Sequence, residues 1–192
     1  MTPPTSTNSA KERILDSAYA LFCRHGIQSV GVDAIIERSG AAKATVYRHF
    51  SSKEALALAV LERRERRWTH DWLEAEVCAR AADPAQRLLT VFDVFDEWFH
   101  TESFEGCFFI NSLLEFDDRT QALHGASADH LARIRELAAG WAAAAGVVDS
   151  DGFARQWHIL MKGSIVAAQE GDLDAAVRAK AVGRLLLAAA LD

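Results

Sequence analysis

"VDAIIERSGAAKATVYRHFSSKEAL", residues 32–56, reads as two short helices joined by a tight turn, followed directly by the start of a third helix. The first, "VDAIIERSG", is two turns long and Gly40 ends it. The second is "KATVYRHF". Two short helices across such a turn fit a helix-turn-helix over about residues 31–50. Ala34, Ile35 and Val46, with Tyr47 or Phe50, are expected to pack inward and hold the second helix on the first. That leaves Lys43, Ala44, Thr45, Arg48 and His49 on its exposed side. A small residue such as Ala44 lets the backbone sit deep in a major groove ~12 Å wide. Thr45 can bond a phosphate or a base edge, and Arg48 can fork onto guanine or phosphate. Ser51 and Glu54 form a capping box for the following helix. Lys53 stands at its start, where its charge and the exposed amides can both meet phosphate.

The charge distribution agrees with a polyanion-facing end. The 192 residues carry a net charge of −6, which on its own argues against nucleic acid. Residues 1–67, however, hold eleven Lys/Arg against seven Asp/Glu, a net +4, and residues 68–192 hold ten against twenty, a net −10. Such asymmetry assigns the two parts different partners. Composition is globular, 50% hydrophobic and 25% charged. No uninterrupted apolar run reaches the ~18–20 residues of a membrane span, so no membrane partner is expected. "MTPPTSTNSA", residues 1–10, lacks a charged region followed by an apolar one; it reads as a short disordered tail, not a secretory signal. Cys23, Cys78 and Cys107 are odd in number, far apart and without a Cys-x-x-Cys, which fits reduced thiols in a cytoplasmic protein.

Helical spacing dominates the rest of the chain. Ser9 and Glu12 form a capping box ahead of Ile14, Ala18, Leu21 and Phe22, and Gly26 stops that helix. The helix after Ser51 runs through Leu56, Val60 and Leu61 and continues past Trp68 and Trp72 to about Cys78. Asp83-Pro84 with Gln86 starts the next, whose stripe is Leu88, Val91, Phe92, Phe95, Trp98 and Phe99. "CFFINSLLEF" is apolar almost all round and belongs in the core. Leu131, Ile134 and Trp141 mark another helix, ended by Gly146. Phe153, Trp157, Leu160, Met161 and Ile165 mark the next, ended by Gly171, and the last runs from about Asp174 to Ala190. The expected fold is all-α with about nine helices.

Residues 8–68 closely resemble the DNA-binding domain of the TetR family of bacterial transcriptional regulators. "ILDSAYALFCRHG", "VDAIIERSG" and above all "KATVYRHFSSKEAL" carry the resemblance. It implies an all-helical homodimer that binds double-stranded operator DNA, with a long fourth helix leading to a ligand-binding and dimerisation domain over 69–192. "GCFFINSLLEF" resembles the family's sixth helix, and "GSIVAAQEGDLDAAVRAKAVGRLLL" its last two, which form a four-helix bundle across the dimer. Ala168, Ala181, Leu185 and Ala188 are the expected interface there. Two positions depart from the pattern. Gly31 stands where a Thr or Ser caps helix two, and Ala42 where a Ser caps the recognition helix; neither can offer phosphate a side-chain hydroxyl. Tyr47 and His49 resemble phosphate contacts, although Tyr47 also reads as core.

An effector site rests on weaker signals. Phe92, Trp98, Phe108, Trp141 and Trp157 either fill the core of the second domain or wall a pocket for an apolar small molecule. Asn111, Glu115 and His158 are polar residues on otherwise apolar helices, and Met161 lies beside them in the pattern. Glu115 would be the natural partner of a cationic effector. A non-DNA-binding helical enzyme or cofactor bundle is the competing class. Glu97 and His100 have the i, i+3 spacing of a di-iron ligand pair, but no second Glu-x-x-His occurs. No Gly-rich phosphate loop and no Gly-x-Ser-x-Gly is present, so no catalytic residue, metal or cofactor is assigned. Cys107 reads as buried and inert beside Phe108 and Phe109, with redox sensing as the alternative. "RRERRW", Arg63–Trp68, lies ~15 Å along its helix from Lys53 and reads as a solvated face or as longer-range steering of DNA.

Overall fold

Ser9 caps the first helix by accepting the Glu12 amide on its side-chain oxygen at 3.3 Å. The computed structural model describes residues 9–116 and 118–192. Of the expected N-terminal tail, residues 1–8 lie outside the described residues, while Ser9 and Ala10 already start the first helix. Glu12 does not close the capping box; its carboxylate is taken by Arg63 and Arg67.

Helix α1 (Ala10–His25), α2 (Val32–Ser39) and α3 (Lys43–His49) form a small bundle. Ile14, Ala18, Phe22, Ile35, Val46 and Phe50 are buried in it. Ala34 is exposed instead of packing inward: Ile35 takes that turn of α2 into the core, with Val32 and Ile36 half-buried beside it. Gly40 ends α2 at φ 62°, a conformation that costs an L side chain about 1–2 kcal/mol. The chain then enters α4 (Lys53–Glu65). Its cap is Ser52, which accepts the Ala55 amide at 3.0 Å, one residue later than the expected Ser51.

α4 does not end where the regular α-helix does. Arg66–Glu74 continue the rod as a π-helix, and α5 (Ala75–Arg80) returns it to α-helical winding. π turns are rare and costly, and they gather where function needs an irregular helix. α6 (Pro84–Phe99) starts as expected, with Asp83 accepting from the Gln86 amide at 2.9 Å. It is followed by α7 (Phe108–Glu115), α8 (Ala122–Ala144), α9 (Ser150–Gln169) and α10 (Ala175–Leu191). Taking 53–80 as one rod, the described residues form nine helices, and no strand occurs among them.

The second half is built around α6, which packs on α8, α9 and α10, while α7 lies on α8. Lys180 on α10 grips both carboxylate oxygens of Asp93 on α6, at 2.5 and 2.6 Å. α8 also packs against α4. There the buried Glu65 of α4 binds Arg133 of α8, and His130 of α8 lies 2.5 Å from the same carboxylate. α7 meets α1 where Tyr19 sets its ring edge-on to Phe108, centroids 5.5 Å apart. No described helix is long and apolar enough to cross a membrane.

Candidate nucleic-acid interface

Val46 and Phe50 turn inward and leave the other side of α3 in solvent. Lys43, Ala44, Arg48 and His49 are exposed and Thr45 is half-buried. Tyr47 is 46% exposed, so Phe50 and not Tyr47 supplies the second inward ring. Lys43 Nζ stands 3.6 Å from Asp33 of α2, both well exposed, a pair that contributes little to stability. Neither Gly31 nor Ala42 caps its helix with a side chain, in keeping with the two departures from the family pattern. Lys53 is half-buried, and its Nζ donates to the Gln28 carbonyl in the α1–α2 loop at 2.9 Å.

The arginine run beyond is not a free solvated face. The Arg63 side chain is only 10% exposed and binds Glu12 at 3.0 Å and Asp16 at 2.8 Å. Arg67 reaches the same two carboxylates, at 3.3 and 3.7 Å. Arg64 lies over the Tyr19 ring, 5.2 Å from its centroid. These cations tie α4 and the π segment to α1.

The expected effector pocket divides into three parts. Phe92, Trp141, Trp157, His158 and Met161 are core residues, all below 8% exposed. Trp157 packs on Phe92 and stacks on Phe153, each at 5.3 Å, and a Cβ at Gly183 would come within 2.8 Å of its ring. The rings fill this space, so they do not wall a cavity there. Burial pushes the His158 imidazole down to about 3, with the charges of Lys162 and Arg135 adding to the effect.

Trp98 belongs to a different group. It sits edge-on to Trp68, Trp72 and Phe104, at 5.5, 5.8 and 4.9 Å. Trp68, Trp72 and Trp98, with Arg64 and Arg67, enclose about 160 Å³ beside the π segment. The i, i+4 spacing of Trp68 and Trp72 was the sequence signal for that cluster.

Phe108, Asn111 and Glu115 lie on a third surface, a cleft of about 360 Å³ between α7 and the end of α1. Glu115 does not face the interior of the second domain. Its Oε2 accepts the Ile27 amide at 2.8 Å and its Oε1 the Gln28 amide at 2.5 Å. The Gln28 side chain in turn donates to the Glu115 carbonyl at 2.5 Å. Gly26 makes room for this, at φ 80°; a Cβ there would stand 2.9 Å from Glu115 Oε1. Phe22, Cys23, His25, Gly26, Ser29 and Ser112 complete the walls and were not singled out by sequence for an effector site. Nothing local announces a contact between residues 88 apart.

Of the expected dimer residues, Ala181, Leu185 and Ala188 are exposed on α10, Leu185 to 74%. Ala168 is buried to 4% within its own chain and cannot meet a partner. Ile159 and Val166 of α9, Leu173 before α10, and Val177 and Val182 of α10 are also exposed apolar residues. Glu97 and His100 do not form a ligand pair: Arg80 takes both oxygens of Glu97, and His100 Nδ1 bonds the Asp96 carbonyl. Among the described residues no cluster of three or more His, Cys, Asp or Glu has metal-binding geometry. Burial raises the Cys107 thiol above its ordinary range, which leaves it protonated and unreactive at neutral pH.

Comparison with known proteins covers both halves. Residues 14–60 match the family model of bacterial regulatory proteins of the tetR family, and residues 84–183 that of the tetracyclin repressor-like C-terminal domain. An uncharacterized HTH-type transcriptional regulator of Mycobacterium tuberculosis is 41% identical over 86 residues, 43% of this chain. The chain thus spans 40% of the length of that curated relative. A TetR-family transcriptional regulator from Streptomyces coelicolor superposes with a TM-score of 0.85 at 26% identity, over 95% of this chain and 96% of its own. A TetR-type regulator from Streptomyces avermitilis gives 0.82 at 27% identity, over 95% and 98%.

Proposed function

The chain belongs to the TetR family of bacterial regulatory proteins, and from that premise we propose that it is a homodimeric repressor released from operator DNA by a small molecule. The observation that carries the DNA reading is the division of α3. Val46 and Phe50 anchor one side while Lys43, Ala44, Thr45, Arg48 and His49 stand together on the other, with Tyr47 and Lys53 beside them. Arg48 and Thr45 take the base-reading role, and Lys43, Tyr47, His49 and Lys53 hold phosphate.

Two such helices must enter successive major grooves about one turn apart, ~34–36 Å. The pairing surface that fits is the exposed apolar side of α9 and α10. It includes Ile159, Val166, Val182 and Leu185, residues a monomer has no reason to leave in water. The rod through α4, the π segment and α5 runs from the DNA-reading end to α6, and Glu65 fastens it to α8. A ligand that prefers the splayed dimer by a hundredfold needs only ~2.7 kcal/mol of differential affinity.

The test is footprinting and fluorescence anisotropy with duplex from upstream of the protein's own gene. The expected result is two protected half-sites one turn apart, and transcription that rises when the gene is deleted. Binding no tighter than to random duplex would overturn the DNA reading, and transcription that falls on deletion would overturn the repressor reading.

A further inference from the structure

The cleft between α1 and α7 brings a carboxylate, two aromatic rings and an unpartnered buried hydroxyl to one place. It is walled on one side by the last turn of α1 and the loop after it, and on the other by the inner side of α7. Phe22 and Phe108 give it two buried aromatic walls. Ser112 borders it, is 1% exposed, and its hydroxyl has no hydrogen-bond partner. A buried hydroxyl left unbonded costs stability and asks for a partner. The half-buried amide of Asn111 stands one residue away.

Besides Cys23, two ionisable side chains line the cleft, the Glu115 carboxylate and the His25 imidazole. α1 and α7 both end at this cleft, at His25 and Glu115, and helix C-termini favour cations. The Glu115 carboxylate adds a full negative charge.

Glu115 also shows the shape of the ligand. At present it accepts two neighbouring donors, the Ile27 and Gln28 amides, one on each oxygen. An amidinium or guanidinium group presents two parallel N–H donors to one carboxylate and adds a positive charge. It therefore reproduces the contact that Glu115 already makes, and makes it stronger.

We propose that this cleft is an effector site for a small planar organic cation of the amidine or guanidine type, with an apolar body against Phe22 and Phe108. Such a ligand displaces the Ile27 and Gln28 amides from Glu115. The Gln28 amide is then released while its carbonyl still accepts from Lys53 Nζ and its side chain still donates to the Glu115 carbonyl, so a shift of this loop is carried to Lys53. The cleft thus connects to a DNA-facing lysine through one residue. Binding to the cleft stands without the regulatory reading, and the coupling to Lys53 rests on it.

The experiment uses the full-length dimer without DNA and three isosteric probes: benzamidinium, benzamide and benzoate. Heteronuclear NMR follows the Gly26, Ile27 and Gln28 amides during titration. The expected result is saturable binding of benzamidinium alone, one per protomer, with the largest shifts at Ile27 and Gln28. Glu115→Gln should weaken it roughly tenfold or more. Ser112→Ala removes an unbonded buried hydroxyl, so it keeps the fold and should weaken the probe by roughly a few-fold. No binding at about 10 mM benzamidinium, equal binding of benzamide, unchanged affinity in Glu115→Gln, or shifts confined to the Trp68–Trp98 cluster would each overturn the site. A second titration with operator duplex present tests the coupling alone. Release of duplex by benzamidinium, abolished in Glu115→Gln, supports it. Cleft binding without release overturns the coupling and leaves the site.

Discussion

Lys53 Nζ donates to the carbonyl of Gln28 at 2.9 Å, which ties the start of α4 to the loop after α1. The bond fixes a flexible side chain near the first turn of a helix, where its charge and the helix amides converge. Lys53→Ala should weaken binding to all duplexes alike. It should also reduce the slope of log affinity against log salt by ~0.9 for each phosphate that is no longer neutralised, or about 2 for a dimer. Lys53→Gln keeps a donor for the Gln28 carbonyl without the charge, so it should show the same slope change. An unaltered slope in both variants removes Lys53 from the phosphate-binding set.

Arg48 and Thr45 should behave differently. Both lie on the exposed side of α3 that Val46 and Phe50 leave open. Arg48→Ala should relax base preference at one position per half-site by ~1–3 kcal/mol. Selection from a randomised duplex library reads this directly. If the selected sequence is the same for wild type and variant, Arg48 holds only the backbone.

Leu185 is 74% exposed on α10 among other apolar residues of α9 and α10. Leu185→Glu places two like charges near the two-fold axis of the proposed interface, in a region that should bury roughly 2,000 Å² or more. Analytical ultracentrifugation should find wild-type dimers at micromolar concentration and variant monomers. The variant should also fail to bind operator, because one half-site holds weakly. A monomeric wild type would rule out pairing through this face.

The DNA-reading end was legible because its information is local. Ser9, Gly26 and Gly40 mark helix ends through contacts within four residues, and Ile35, Val46 and Phe50 follow simple periodicity. The effector region was not legible, because an aromatic count cannot distinguish a ring that fills a core from one that lines a cleft. Trp157 is packed against Phe92, Phe153 and Gly183, a choice made by three separate helices, α6, α9 and α10. Glu115 escaped for the same reason, since its partners lie on the far side of a domain boundary. The π segment left no trace in "RRWTHDWLE", whose spacing reads as ordinary helix. Ala168 and Ala181 look alike in sequence, and only Ala181 reaches solvent.

Arg63 tests how firmly α1 holds the rod. It is nearly buried, between Glu12 and Asp16. Arg63→Ala removes the less exposed of the two arginines that reach both carboxylates and leaves the more exposed Arg67 in place. Breaking a fully buried pair costs about 3–5 kcal/mol. Here both carboxylates reach solvent, so about 1–2 kcal/mol is expected. Urea denaturation at one fixed protein concentration measures it. A change within about 0.5 kcal/mol, the ordinary range of a surface substitution, would make the arginine pairs incidental.

His158 should give the fold an acid limit. Burial on α9, aided by the charges of Lys162 and Arg135, lowers its folded pKa to about 3, against ~6.5 in an unfolded chain. Between those two values the unfolded chain holds a proton on His158 that the folded chain does not. Stability from this group is therefore complete above pH ~6.5 and falls as the pH drops toward 3, by ~1.4 kcal/mol per unit. At pH 5 that amounts to ~2 kcal/mol. His130 on α8 is lowered as well, chiefly by burial, so it acts in the same direction. His158→Leu removes one of the two contributions. Urea denaturation at pH 7 and pH 5 should show a smaller loss in the variant than in the wild type. Equal losses would mean that the imidazole gains its proton in the folded protein as readily as in the unfolded chain, with water or a moving Lys162 relieving the burial.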